Sequence, residues 1–137
     1  MRCVLGLILV AGCTNDAGIL IPPENPNAMV DVTGTYDYSG ILPIYRLRGT
    51  ITFQQAGNSV QVVTTTYENA NDRPLMGQAL IVGNRLDIVL VPVNDDTNFS
   101  ANVTFLFTED GERFACSFDD TNGDMGSLGS FTGVRQP

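Results

Sequence analysis

The chain predicts an all-β domain: an antiparallel up-and-down meander of about eight strands closing into a small barrel, with a β-sandwich as the alternative. Three observations lead there. After residue 28, β-branched and aromatic residues alternate with polar ones and almost nothing has helical period. Gly57-Asn58, Gly83-Asn84, Asp110-Gly111 and Asn122-Gly123 punctuate that alternation with turn dipeptides. Consecutive strands joined by short turns favour closure into a barrel, which leaves no edge strand unpaired.

Taken in order, the chain opens with Met1-Arg2 and an apolar run from Val4 to Val10, the layout of an export signal. That run is well short of the roughly 20 apolar residues of a spanning helix. Val10-Ala11-Gly12-Cys13 follows it. The tetrad resembles the lipobox of bacterial lipoproteins, and the resemblance covers residues 1–13. It implies cleavage between Gly12 and Cys13 and a diacylglyceryl group on the Cys13 sulfur. Two or more acyl chains make a lasting anchor where one is marginal. The same resemblance implies an exported protein held at the outer membrane in a Gram-negative source, because Thr14 and not Asp follows the cysteine, and at the cell membrane otherwise. Residues 1–12 are therefore expected to be a signal peptide. Residues 13–28, with Asn15, Pro22, Pro23, Asn25, Pro26 and Asn27, read as an extended tether. Residues 29–137 make the barrel.

The strands are expected at 30–38, 44–56, 59–68, 75–82, 85–93, 98–108, 113–119 and 127–135. The turns fix the register. A two-residue Gly57-Asn58 loop sets Phe53 opposite Val62 and Ile51 opposite Thr64. Gly83-Asn84 sets Ile81 opposite Leu86, Ala79 opposite Ile88 and Gly77 opposite Leu90. Asp110-Gly111 sets Phe107 opposite Phe114, Phe105 opposite Cys116 and Val103 opposite Phe118. The alternate face of that hairpin pairs Thr108 with Arg113, Leu106 with Ala115 and Thr104 with Ser117. A slip of one residue would scramble this apolar-in, polar-out division.

The start Gly34-Thr35-Tyr36, the meander and the ending Gly133-Val134-Arg135 look like the lipocalin–avidin group. Lipocalins carry Trp where Tyr36 stands, packed beneath a basic residue of the last strand, so the resemblance implies Arg135 stacked on the Tyr36 ring. The chain departs from the group in having no Trp and no room for a helix after the barrel. Biotin binding of the avidin type, which uses Trp heavily, is not expected.

Composition narrows function further. All seven basic residues are Arg, against fifteen acidic ones. Loss of Arg2 with the signal leaves a net charge of −9, which speaks against nucleic acid as a partner. There is no His and no Lys, so neither a His-activated nucleophile nor a Schiff base can form. The acidic pairs Asp95-Asp96, Glu109-Asp110 and Asp119-Asp120 fall at turns or strand ends, where solvated acids are ordinary. No enzymatic activity and no cofactor are expected. Asp119, Asp120, Asn122 and Asp124 offer hard oxygens that suit Ca²⁺, but their spacing is not that of an EF-hand; an acidic hairpin turn is the preferred reading, and no metal is expected. Cys116, between Phe114 and Phe118, reads as a small inward hydrophobe.

Two further groups carry alternatives. Gly49, Thr64, Gly77 and Ala79 are small and inward: either they line a pocket for a small apolar ligand, or larger side chains opposite fill their space. Val63, Tyr67, Met76, Leu80, Val89 and Val91 point outward as an apolar strip: either a docking surface for another envelope protein or a second copy, or a face that the tether covers or that a different register would turn inward. The function read from the sequence is thus a non-enzymatic, lipid-anchored binding or scaffolding module. A lipocalin-like carrier of a small apolar ligand is the alternative.

Overall fold

The computed structural model describes residues 2–3, 13–14, 20–41, 46–64, 74–93, 100–120 and 129–137. Eight antiparallel strands close into a barrel: β1 (Gly34–Ile41), β2 (Arg46–Ala56), β3 (Ser59–Thr64), β4 (Leu75–Val82), β5 (Arg85–Pro92), β6 (Ala101–Phe107), β7 (Arg113–Asp120) and β8 (Gly129–Arg135). Each strand pairs with the next in sequence, and β8 returns to pair with β1. Ahead of the barrel, the backbone of Leu20–Ile21 pairs with Cys13–Thr14, which in turn pairs with Arg2–Cys3.

The turn dipeptides set the register as expected. Phe53 faces Val62 and Ile51 faces Thr64 across Gly57-Asn58. Ile81 faces Leu86 beside Gly83-Asn84, and Met76–Val91 at the other end keeps the same register. Phe107–Phe114, Phe105–Cys116 and Val103–Phe118 pair between β6 and β7. The turn between those two strands differs from the two-residue loop expected. Gly111, at φ +74°, donates its N–H to the Thr108 carbonyl at 2.8 Å, and the Asp110 carboxylate accepts from the Thr108 hydroxyl at 2.6 Å and the Glu112 N–H at 3.0 Å. Those bonds hold Asp110 well below the usual carboxylate range, with the Thr108 hydroxyl the main cause. Thr108 still faces Arg113, so the wider connection leaves the register intact. The Asn122-Gly123 turn lies outside the described residues.

The first strand also begins later than expected, at Gly34 and not at residue 30. Val30 and Val32 alternate like a strand and are buried, but no ladder receives them. The Gln55 side-chain amide takes its place, accepting from the Val32 N–H at 2.9 Å and donating to the Val30 carbonyl at 3.2 Å. Residues 22–33 are therefore a strap across one end of the barrel, with a turn at residues 25–28, where the Ala28 N–H donates to the Asn25 carbonyl at 3.2 Å.

Inside, five aromatic rings occupy the half next to that strap. Phe53 lies 5.2–5.9 Å from the rings of Tyr36, Phe105, Phe107 and Phe114, all steeply inclined to it. Such edge-to-face pairs add about 0.5–1.5 kcal/mol each beyond the burial itself. Two glycines make room for rings on neighbouring strands. Gly133 pairs with Phe114 and Gly40 with Phe131, and each ring lies where the glycine's Cβ would be. Gly133→Ala is therefore expected to lose about 1–3 kcal/mol by overpacking, read as a lower urea midpoint at unchanged slope. A neutral Gly133→Ala would show that the ring has free space to move into.

Candidate functional site

The sealed end is the most elaborate polar assembly in the molecule. Turns 57–58, 83–84 and 108–112 lie there with the start of β1 and the end of β8, whereas the ends of β1, β3, β5 and β7 at Ile41, Thr64, Pro92 and Asp120 lie at the opposite end. Asn84 is almost wholly buried in the seal. Its side-chain oxygen accepts the Asn25 N–H at 2.7 Å, and its amide nitrogen donates to the carbonyls of Pro23 and Phe107, both at 2.8 Å. Gly83 (φ +60°) lets the strap lie directly on the turn, because an added Cβ would overlap the Asn25 carbonyl. Arg85 reaches Glu24 of the strap at 2.8 Å, but both side chains are more than two-fifths exposed, so the pair contributes little beyond position.

Arg135 ties the other side of the seal. Its guanidinium carbon stands 5.4 Å from the Tyr36 ring centroid, the stacking expected from sequence. It also donates to the Tyr36 hydroxyl at 2.9 and 3.1 Å and to the Asp31 carbonyl. Tyr36 in turn donates to the Gly111 carbonyl. One buried hydroxyl and one guanidinium thereby join β1, β8, the β6–β7 turn and the strap. Burial pushes the Tyr36 phenol above its ordinary range, with Arg135 pulling it partly back. The hydroxyl is bonded on both sides, so this assembly locks structure and offers no activated group.

The small inward positions have mixed surroundings. At Gly77 the space is taken: Leu90 Cδ2 and Ile88 Cγ1 stand 3.0 and 3.1 Å from where a Cβ would sit. Ala79 packs against the core. Thr64 is buried and its hydroxyl accepts the Leu75 N–H at 2.8 Å. Gly49 lies opposite Tyr38. These residues share the β2–β4 wall without leaving a common opening at Gly77.

The outer strip takes the form read from sequence. Val63, Met76 and Val91 form one row across β3, β4 and β5, with Val89 beside it and Leu80 further along β4, all exposed. Tyr67 lies outside the described residues. Val82, 61% exposed, extends the strip and was missed, although it shares the parity of Leu80 and Met76 on β4. Gln61 and Gln78 interrupt the strip without charge.

Gly12 and the Cys13 side chain, like Asn122 and Asp124, lie outside the described residues; Asp119 and Asp120 are described only as backbone at the end of β7. Cys116 is half-buried as a residue, but it packs on the core and burial pushes its thiol up to about 12, against a lesser pull from the Phe131 backbone. A thiol raised in the fold favours folding below its ordinary value of 9.0, and that contribution disappears as pH rises toward about 12. Urea unfolding followed between about pH 8 and 11 is expected to lose up to about 1.4 kcal/mol per unit through this group. Cys116→Ala should flatten that limb, and an unchanged slope would reject the assignment. No family model and no curated protein matches the chain.

Proposed function

We propose that this chain is a non-enzymatic, lipid-anchored protein of the cell envelope whose barrel is a protein-binding or scaffolding module. The observation that carries the reading is the uncharged apolar strip from Val63, Met76 and Val91 to Leu80 on the outside of a barrel whose sealed half is filled with aromatic rings. The Val63, Met76 and Val91 row with Val89 beside it is exposed apolar surface of the kind that marks a contact face on a small domain, and Leu80 resumes it beyond Gln78. The rest of the outer surface is largely polar, with Asp37, Gln54, Asp87, Asn102 and Arg113 exposed. This apolar-in, polar-out alternation is the reverse of a membrane-spanning barrel and suits a module standing in water. The anchor rests on Val10-Ala11-Gly12-Cys13, and the lack of His and Lys supports a role without covalent chemistry.

Native mass spectrometry of the protein released gently from membranes tests this reading. A second polypeptide or a second copy bound to it is the expected result. A stoichiometric small-molecule adduct on an otherwise single chain would replace the scaffold by a carrier of an apolar ligand. The anchor has its own test: Cys13→Ala should move the protein from the membrane to the soluble fraction, and unchanged fractionation would reject acylation.

A further inference from the structure

We infer that the barrel stands sealed end toward the bilayer, so that the opposite ends of its strands, at Ile41, Thr64, Pro92 and Asp120, face away from the membrane. The inference rests on the proposed anchor at Cys13. It adds the end of the fold at which that anchor is fixed.

The chain's path decides it. Pro22 is buried, and from Pro23 onward the strap is bonded to the barrel: Pro23 and Asn25 to Asn84, Glu24 to Arg85, Asn25 to Glu109, Val30 and Val32 to Gln55, Asp31 to Arg135. Every one of those partners sits at or beside a turn of the sealed end or at the terminus of β8. The backbone of Cys13 itself pairs with Ile21, next to Pro22. The acylated residue is therefore tied to one end of the cylinder and cannot leave it without breaking its backbone pairing with Ile21.

Length limits the alternatives. Pro22 lies nine positions after Cys13, a reach of about 30 Å at full extension and about 15–20 Å on average for a flexible chain. An eight-residue strand spans about 26 Å, or about 20 Å of height once tilted in a barrel. Turning the module over would need the tether drawn out along the whole barrel, at or beyond its average span. Charge works on spacing and not on the choice of end: Glu24, Asp31, Glu109, Asp110 and Glu112 are exposed at the sealed end, so anionic headgroups hold it off the surface within the tether's reach.

Energy transfer from the protein to the membrane plane tests this. The chain is purified from membranes and its intact mass recorded. It is then placed in phosphatidylcholine vesicles carrying an acceptor-labelled headgroup. A donor dye is attached through Asn58→Cys, exposed at the sealed end, or Ser39→Cys, exposed near the far end of β1, each in a Cys116→Ala background. The expected result is stronger transfer from position 58, the two dyes differing by about 20 Å in height. Equal transfer means that the barrel lies on its side, and stronger transfer from position 39 means that it is inverted; either overturns the orientation while an acylated mass keeps the anchor. A mass without acyl chains removes the anchor and this inference together.

Discussion

Phe53→Ala is expected to lower folding stability by about 3–5 kcal/mol, the range for a large ring removed from a packed interior. Phe53 is fully buried and touches four other rings, so its removal leaves a cavity that no single neighbour can close. Domains of this size hold only about 5–15 kcal/mol in total. The variant should therefore unfold at much lower urea, with loss of near-ultraviolet aromatic signal. Val82→Ala, on the outside of the neighbouring wall, should stay within about 0.5 kcal/mol of the parent. A cost for Phe53→Ala near that of Val82→Ala would mean that the sealed half of the barrel is not filled as described.

Asn84→Ala is expected to cost about 2–3 kcal/mol and to loosen the strap before the barrel. The substitution removes an acceptor for the Asn25 N–H and two donors, and leaves the Phe107 carbonyl buried without its side-chain partner. A buried polar group without its partner carries a penalty of about 1–3 kcal/mol. The backbone bonds between Asn84 and Phe107 and between Asn84 and Asn25 survive, which keeps the turn formed. Hydrogen exchange should then show faster exchange at Asn25, Val30 and Val32, with β6 and β7 little changed. Asn25→Ala, which loses only exposed side-chain bonds to Glu109 and Asn27, should cost under about 1 kcal/mol. Full protection of the strap in Asn84→Ala would show that the valines alone hold it.

Much of the barrel could be read from the sequence because its hairpins are local. Gly57-Asn58 and Gly83-Asn84 each fix a register within a dozen residues, and alternation then decides which side chains point inward. The exposure of Val63, Met76, Leu80, Val89 and Val91 follows from the same parity. The seal was beyond such reading. Asn84 looks like an ordinary turn residue, and nothing near it signals a partner 59 positions away. Val30 and Val32 carry the alternation of a strand while their backbone bonds go to a glutamine side chain. Pro22 and Pro23 have the composition of a free linker, yet Pro22 is buried and the Pro23 carbonyl is bonded to Asn84. Phe131 over Gly40 needed the long-range pairing of β8 with β1, which no turn reports.

That same pairing governs how the polypeptide is made. Seven ladders can zip up hairpin by hairpin as the chain emerges, but the eighth joins Tyr36 to Arg135, 99 positions apart. Until the final strand has been synthesised and released, the cylinder stays an open ribbon with two raw margins of unpaired amides. Protection from proteolysis and from sticking to neighbouring copies thus arrives in one late step, and a chain truncated within β8 would never attain it.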